Sequence, residues 1–428
     1  MNKTLAILGG TPMINKNDAK FIWPKITHEI ENVLKKQLYK SISIYNRSGI
    51  FKEFEDNFAK FHGVKYALLS NSGTNAIFSM FEGINILPGD EIICPSYTFF
   101  ATISPILYTG AIPVFCDCFD DGNINTKEIE SKITKKTKAV IVTHMWGIPC
   151  DMDKISEICK QNNLVLFEDC SHAHGASFHE KKIGSFGDAS AWSLQGQKII
   201  TGGEGGIMLT KHKDIFDRAL LQGHYNKRCK NEISNDSPLY KYSLTGLGLK
   251  FRAHPLAIAI ANEQLKKIDK FIEQKQKFVN LIEKELNKYK FLKLPKYIDK
   301  QPSWYAYIFQ FDINYSNGVS VDTFVKALLF EGLIEVDRPG STRPIHNLPL
   351  FKDPHKIMPR LYNKTINQTG KFDNALKFYE NAVKIPVWAY PEDRDIMKSY
   401  IEGFKKVCDL IVRQPNLLLT VQNERNKL

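Results

Sequence analysis

The stretch "LVLFEDCSHAHGA", residues 164–176, decides the fold that we expect for this chain. It begins with a short continuous apolar run, which is typical of a strand covered on both faces in a parallel sheet. Polar residues follow at once, first Glu168 and Asp169 and then His172. In an open α/β sheet the carboxyl ends of the strands form the ligand crevice. The stretch therefore predicts a buried strand and a binding site at its end.

Similar short apolar runs recur through the first half of the chain, with amphipathic stretches of helical spacing between them. Together they predict an α/β fold whose mostly parallel, seven-stranded sheet is flanked by helices. The predicted strands are Tyr66–Asn71, Glu91–Ser96, Ile112–Asp117, Ala139–His144, Leu164–Asp169, Ala189–Leu194 and Gly206–Thr210.

The sequence changes in texture after about residue 255. A helical stretch rich in Lys, Glu and Leu runs from Pro255 to about Lys288, and an aromatic strand, "SWYAYIFQFDI", follows it. We expect a smaller α+β domain here, behind a long connecting helix. The prediction divides the chain into an N-terminal arm (1–30), a large cofactor-binding domain (31–255) and the connecting helix with the small domain (256–428). Residues 338–367 are rich in Pro, His and Asn, and are expected to form loops over a site.

Small polar residues follow the first predicted strand as Ser72, Gly73 and Thr74, where a helix is expected to begin. Backbone N–H groups at a helix start make a phosphate-binding cup. The same pattern also suits an ordinary helix N-cap.

Other residues at the strand ends also permit two interpretations each. Asp169 suits either a carboxylate ligand or a turn. His172 and His174 form an HxH pair, but without a clear third ligand a buried histidine explains them better than a metal. Aromatic residues such as Phe99 and Trp146 suit either the core or a stacking surface.

A lysine stands alone in the glycine-rich stretch "SLQGQKIITGGEGG", residues 193–206. Lys198 could be a phosphate clamp, a surface charge or a reactive amine, and the spacing does not match a P-loop. A phosphate cup, aromatic rings, a carboxylate and a lysine in one crevice are what pyridoxal 5'-phosphate requires. The combination predicts that Lys198 forms a Schiff base with that cofactor.

The sequence resembles the DegT/DnrJ/StrS family of sugar aminotransferases, which have the fold-type I aminotransferase fold. The matching segments run in family order across residues 54–265: "FEDNFAKFHGVKYALLSNSGTNAI", "GDEIICPSYTFFAT", "VTHMWGIPCDMDKI", "FEDCSHAHGA", "GSFGDASAWSLQGQKIITGGEGGIMLT" and "GLKFRAHPLAIAIANEQL".

The resemblance implies a role for each matching residue. Lys198 holds the internal aldimine and later shuttles the proton, and Asp169 pairs with the pyridine nitrogen. His172 lies near the ring, where many members have glutamine. The remaining implied cofactor contacts are Ser72, Gly73, Thr74 and Ser193 on the phosphate, Phe99 on the ring, and Lys250, contributed by a partner subunit.

The resemblance also implies the reaction. A homodimer with shared sites would move an amino group from L-glutamine or L-glutamate to a nucleotide-linked keto-sugar or a keto-cyclitol. "EDCSHAHG" and "LAILGGTP" are similar to the subgroup that contains L-glutamine:scyllo-inosose aminotransferases and aminohydroxybenzoate synthases. Position 250, where many members have asparagine, departs from the pattern, although a lysine can also bind a phosphate.

Two alternatives keep the same fold. Related dehydratases have histidine at the Schiff-base position, and Lys198 argues against that reading. A non-catalytic regulatory protein would not need the full set of cofactor residues.

Composition excludes other classes. The formal charge of +12 comes from dispersed basic runs, without the clustered stripe that nucleic-acid binding favours. No apolar run approaches the ~20 residues of a membrane span. Eight cysteines without CxxC spacing, and no visible signal peptide, predict a cytoplasmic protein without a metal site.

Overall fold

The computed structural model describes residues 4–15, 18 and 20–425. Its central sheet has the order β1-β7-β6-β5-β4-β2-β3, and it is parallel except for β7, which runs antiparallel to both neighbours. The strands are β1 Tyr66–Ser70, β2 Glu91–Pro95, β3 Ile112–Cys116, β4 Thr137–Thr143, β5 Val165–Asp169, β6 Ala189–Ser193 and β7 Gly206–Thr210.

The expected seven-stranded sheet is confirmed, with strand bounds within two residues of the predicted ones. Neighbouring residues point to opposite faces of a strand. Leu68 and Ile92 accordingly pack in one apolar core, whereas Leu69 and Ile93 pack in a second. Both faces are covered, which explains why the strand sequences are continuous apolar runs.

Helices flank the sheet and continue through the second half of the chain. They are α1 His28–Lys40, α2 Gly49–His62, α3 Gly73–Gly83, α4 Ser104–Tyr108, α5 Thr126–Ile129, α6 Met152–Gln161, α7 Lys213–Gly223, α8 Lys227–Glu232, α9 Pro255–Leu265, α10 Ile268–Leu286, α11 Val321–Phe330, α12 Pro349–Lys352, α13 Asp373–Asn381, α14 Arg394–Arg413 and α15 Pro415–Arg425. Short 3-10 helices are Ala6–Leu8, Phe100–Thr102, Glu130–Lys132, Met145–Gly147, Tyr240–Tyr242, Ile313–Tyr315, Pro354–Lys356 and Pro391–Asp393.

The single long helix expected from Pro255 to about Lys288 is wrong. The chain forms a turn at Lys266 and Lys267, which separates α9 from α10. Helix α9 packs on the second core through Ile258, and α10 passes into a third core from Phe278 onward. Apolar residues keep their helical spacing through this turn, so the sequence pattern alone predicts one helix.

The third core belongs to an antiparallel sheet of Leu292–Lys293, Tyr307–Phe311 and Ala382–Ile385, with α10, α11 and α14 packed around it. The N-terminal residues Leu5 and Ile14 also pack there. The divisions at residues 30 and 255 remain predictions, and residues 1–3, 16, 17 and 19 of the predicted arm lie outside the described residues.

Residues 338–367 are only partly the loops that we expected. Ile345 and Phe351 are fully buried in the first core because apolar side chains alternate here with the polar ones. The strand Thr342–Pro344 pairs with Tyr97–Phe99 and so ties this segment to the end of β2. The remaining strands, Ser177–Phe178, Lys181–Lys182 and Lys300–Gln301, form a small separate sheet.

Among the described residues, no helix is both long enough and apolar enough to cross a membrane.

Candidate active site

Lys198 lies in the loop after β6, with its side chain directed at an aromatic ring. Its Nζ is 4.5 Å from the centroid of the Tyr305 ring. Burial lowers the pKa of Lys198 to about 8, and the negative charge of Asp169 opposes that shift. A lowered pKa gives a larger fraction of neutral amine near pH 7, as a nucleophilic lysine requires.

Asp169 ends β5 and is buried. Thr102 Oγ1 donates to Asp169 Oδ2 at 2.6 Å, and the Ser171 N–H donates to Oδ1 at 3.0 Å. The Thr102 hydroxyl in turn contacts Thr98 and Thr143. The carboxylate is therefore held in one orientation.

The His172 ring is buried and stacks on Tyr305, with the centroids 4.0 Å apart and the planes at 8°. Burial, followed by the charges of Lys198 and His174, holds the pKa of His172 well below its usual range. The imidazole is therefore neutral. Its Nδ1 has no hydrogen-bond partner among the described residues, so it remains available to a bound molecule.

The predicted phosphate cup forms where α3 meets the end of β6. A Cβ added at Gly73 would lie 2.7 Å from Ser193 Cβ, so the two backbones touch and only glycine fits. Ser72 Oγ accepts the Asn75 N–H at 3.1 Å, which means that its side chain serves as the N-cap. The N–H groups of the first helical turn have no intrahelical acceptor. Those of Gly73 and Thr74 are therefore free to bind an anion.

Ser193 completes this cup from the other side. Its Oγ accepts the Gln195 N–H at 3.2 Å, so the hydroxyl proton remains free to be donated. Two features suit a ring that bears a phosphate. His172 Nδ1 has no hydrogen-bond partner among the described residues, and Gly73 lets the start of α3 approach Ser193 closely. The residues present are therefore compatible with pyridoxal phosphate.

Two predicted contacts are not brought to this cluster within the described chain. Phe99 is partly exposed beside Phe100, with ring centroids 4.2 Å apart. Lys250 is exposed. No hydrogen bond, ion pair or ring contact joins either residue to Lys198, Asp169 or His172 in the described parts of the chain. The expected contact of Lys250 with a partner subunit remains a prediction.

A cavity of about 350 Å³ is lined by Tyr305, whose ring contacts Lys198, and also by Trp23, Trp146, Glu335, Ser341 and Lys384. Sequence reasoning did not assign Trp23 or Tyr305 to the site. Tyr305 lies in the aromatic strand-like stretch "SWYAYIFQFDI", and nothing local to that stretch distinguishes it. A larger cleft of about 1100 Å³, between residues 119–121 and α10, contains none of the predicted site residues.

One group of residues has the composition of a metal site. His144, Glu168 and Cys170 are buried, with ligand atoms within 4.8 Å of one another. However, Glu168 already accepts the N–H groups of Gly184 and Gly187, and His144 Nε2 lies 3.2 Å from its carboxylate. The other nitrogen, His144 Nδ1, accepts the Cys150 N–H at 3.0 Å. The histidine and the glutamate are thus engaged within the protein, which favours a structural role.

The profile of the DegT/DnrJ/EryC1/StrS aminotransferase family matches residues 24–398. A GDP-perosamine synthase of Escherichia coli O157:H7 is 35% identical over 245 residues, which cover 57% of this chain and 65% of that protein. A putative L-glutamine:3-amino-2,3-dideoxy-scyllo-inosose aminotransferase of Micromonospora echinospora is 27% identical over 431 residues, covering 96% of this chain and 98% of that protein.

Solved structures show the same fold. An aminotransferase from Psychrobacter cryohalolentis has a TM-score of 0.79 at 24% identity, covering 92% of this chain and 100% of that one. A 3-amino-5-hydroxybenzoic acid synthase has a TM-score of 0.74 at 21% identity, covering 92% and 99%. With the family profile spanning most of the chain, the predicted resemblance is confirmed: this protein belongs to the DegT/DnrJ/EryC1/StrS aminotransferase family and is a pyridoxal-phosphate-dependent aminotransferase.

Proposed function

We propose that this enzyme transfers an amino group from L-glutamine or L-glutamate to a nucleotide-linked keto-sugar or a keto-cyclitol, with Lys198 as the Schiff-base residue. The observation that carries the proposal is the Lys198 amine, whose burial lowers its pKa to about 8 within the cluster of Asp169 and His172. Relatives include synthases of GDP-perosamine and aminotransferases of scyllo-inosose derivatives, which supports both acceptor classes.

The residues that would hold the cofactor fall into three groups. The first turn of α3 and Ser193 would hold the phosphate, and Lys250 of a second copy would add a positive charge. Asp169 would pair with the pyridine nitrogen, and the neutral His172 would lie near the ring. When bound, pyridoxal phosphate supplies an aldehyde that takes up the amino group and a ring that accepts the electron pair. Phe99 remains the proposed stacking residue.

Lys198 does the proton work in this proposal. Once released from the cofactor, its neutral amine can take a proton from the substrate carbon and return it. Tyr305 lies against the lysine amine, and the Tyr305 ring in turn stacks on Trp146.

A homodimer with shared sites is part of the proposal. Leu244, Leu247 and Leu249 are exposed in the segment that leads to Lys250. Exposed apolar residues in one segment are typical of an interaction surface. We also propose a cytoplasmic location, since all eight cysteines are buried and free of disulfides.

The family's dehydratase-type lyases and a non-catalytic role are the alternatives. A GDP-4-keto-6-deoxy-D-mannose-3-dehydratase from E. coli shares the fold, with a TM-score of 0.75 at 23% identity. A lysine at position 198 favours the aminotransferase.

Absorption spectroscopy tests the proposal directly. Purified protein is mixed with pyridoxal phosphate, and L-glutamine and L-glutamate are then added separately. We expect a yellow lysine-bound band that bleaches with one donor, and we expect Lys198→Ala to lose both the band and turnover. The matched control Lys211→Ala, at an exposed lysine, should behave like the parent. Turnover by Lys198→Ala would refute the assignment.

Acceptor class is tested next, with the donor that bleaches the band. The two probes are a GDP-linked 4-keto-6-deoxy sugar and scyllo-inosose. Product amine from either one identifies the class. Amine from neither, together with loss of a hydroxyl group from the sugar, would support the dehydratase reading instead.

A further inference from the structure

Trp23 links the N-terminal segment to the active-site lysine. Its indole Nε1–H donates to the main-chain carbonyl of Lys198 at 2.7 Å. The segment around Trp23 is fixed on both sides. The Phe21 N–H donates to Glu335 Oε1 at 2.9 Å, and Lys25 Nζ pairs with Asp393 Oδ1 at 2.6 Å. Trp23 therefore provides a fixed point against which the Lys198 segment is held.

Lys275 is a second, unexpected feature of this region. This lysine of α10 is 2% exposed. Its Nζ donates to the carbonyls of Trp304, at 3.0 Å, and Val387, at 2.7 Å, and lies 5.5 Å from the centroid of the Trp23 ring. Burying an ammonium group with only neutral partners is costly. Such a group calls for a role beyond packing.

The hydrogen bonds of Lys275 and of Trp23 both support the surroundings of the Lys198 amine. The Trp304 carbonyl belongs to the peptide unit that carries Tyr305, and Lys198 Nζ lies against the Tyr305 ring. Lys275 therefore holds the backbone that carries Tyr305, whose ring contacts the Lys198 amine. Trp23 holds the main chain of Lys198 itself. The Trp23 ring also lies over the Lys275 ammonium group, in reach of a cation–π interaction.

We propose that Trp23 and Lys275 are positioning residues that together hold the Lys198 amine against Tyr305 and out of water. Only the chemical role of Lys198 rests on the proposed function. The positioning itself is a property of the folded chain.

Water access is the property that should change when this support is removed. Burial is the main reason that the pKa of Lys198 is lowered, while Asp169 acts in the opposite direction. The other titratable groups that face the lysine are His172 and His174, both of which burial keeps neutral. If the Lys198 segment moves toward water, its pKa should rise toward the ordinary value of about 10.4.

The test is pulse acylation of Lys198 between pH 6 and 11, read by mass spectrometry, on the full-length chain without added cofactor. Trp23→Phe keeps a ring but removes the N–H donor. Its control is Trp388→Phe, in the same aromatic cluster against Phe21. Lys275→Met keeps an unbranched side chain, one atom shorter, but removes the amine that donates to the carbonyls of Trp304 and Val387. Its control is Lys277→Met, an exposed lysine on the same helix.

We expect the acylation midpoint of Lys198 to move upward by at least about 0.5 pH unit in Trp23→Phe and in Lys275→Met, because solvation favours the charged amine. The two control variants should match the parent. The double variant should move no further than the larger single shift, since both residues support one amine.

Unchanged midpoints in both Trp23→Phe and Lys275→Met would overturn the proposal. An unchanged midpoint in only one of them, relative to its control, would remove that residue from the positioning role. Failure of the proposed function is distinguishable. If Lys198→Ala still turns over substrate while the midpoints shift as expected, the catalytic assignment is wrong but the positioning stands.

Discussion

The imidazole of His172 lies face to face with the phenol ring of Tyr305, at 4.0 Å and nearly parallel. His172 lies in the loop after β5, and Tyr305 lies two residues before the strand Tyr307–Phe311, 133 positions further along the sequence. Tyr305 also receives the Lys198 ammonium group over the same ring. One aromatic side chain thus orients both the histidine and the lysine of the site.

Tyr305→Ala should lower kcat/KM by about 2- to 10-fold, because an aromatic pair contributes about 0.5–1.5 kcal/mol beyond its buried area. Tyr305→Phe is the matched control. It keeps the stack and loses only the 3.3 Å contact of the hydroxyl with Gln197. Steady-state kinetics of both variants measure the difference. Equal losses in the two would show that the hydroxyl, and not the stacked ring, supports the site.

Asp169→Asn should lower kcat by about 10- to 150-fold, since hydrogen bonds to charged groups contribute about 1.5–3 kcal/mol. Thr102→Val should cause a smaller loss, because the Ser171 N–H still holds the other carboxylate oxygen. Turnover and the absorption spectrum of the bound cofactor measure both effects. Parental activity in Asp169→Asn would show that Asp169 does not pair with the pyridine nitrogen.

The sequence predicted the sheet well because strand sequences carry local information. Leu68-Leu69 and Ile92-Ile93 place apolar residues on both faces, which only a doubly covered sheet accommodates. Polar residues at strand ends then predicted Asp169, His172 and Lys198 as site residues, and the structure places these three side chains near one another. The cup residues followed from the pattern of a helix start, although Ser72 serves as the cap.

Long-range contacts account for what the sequence did not predict. Trp23 reaches the Lys198 carbonyl across 175 positions, and no local pattern announces such a hydrogen bond. Tyr305 is one aromatic residue among several in a strand-like stretch. The break between α9 and α10 is hidden because apolar spacing continues through Lys266 and Lys267. These contacts and the break between the two helices depend on which apolar core each segment packs against in the folded chain.

The free energy of unfolding should rise with pH above about 7, in part through Lys275. Burial lowers the pKa of Lys275 to about 7 in the folded chain, against about 10.4 when unfolded. Between these values the unfolded state binds the extra proton, so stability increases with pH by up to about 1.4 kcal/mol per unit. Below pH 7 both states are protonated, and this contribution to the slope disappears.

Urea unfolding at pH 7, 8 and 9 measures that slope. Lys275→Met should flatten it relative to the parent, while the exposed Lys277→Met should leave it unchanged. Lys198 contributes a similar slope only above about pH 8, and Lys275→Met is itself expected to raise the Lys198 pKa, so the contribution of Lys275 is read from the slope between pH 7 and 8. Parallel curves for the parent and Lys275→Met would mean that Lys275 stays charged in the folded protein.

Gly73→Ala should weaken cofactor binding by at least about 10-fold, and a second glycine on the same helix separates this effect from simple destabilisation. The added Cβ at Gly73 would meet Ser193 Cβ at 2.7 Å and Cα at 2.9 Å, which pushes apart the two sides of the phosphate cup. At Gly83, the far end of α3, the added Cβ would meet Ile215 Cγ2, also at 2.7 Å. Overpacking of this kind costs about 1–3 kcal/mol.

Both variants should therefore lower the thermal midpoint, but only Gly73→Ala should raise the dissociation constant of pyridoxal phosphate, measured by absorption titration. In the proposed function the backbone N–H groups of the first turn of α3 bind the phosphate, and these move only when the helix start itself is displaced. If Gly83→Ala weakened binding as much as Gly73→Ala, overall stability would control cofactor affinity. If neither did, the phosphate would bind away from this helix end.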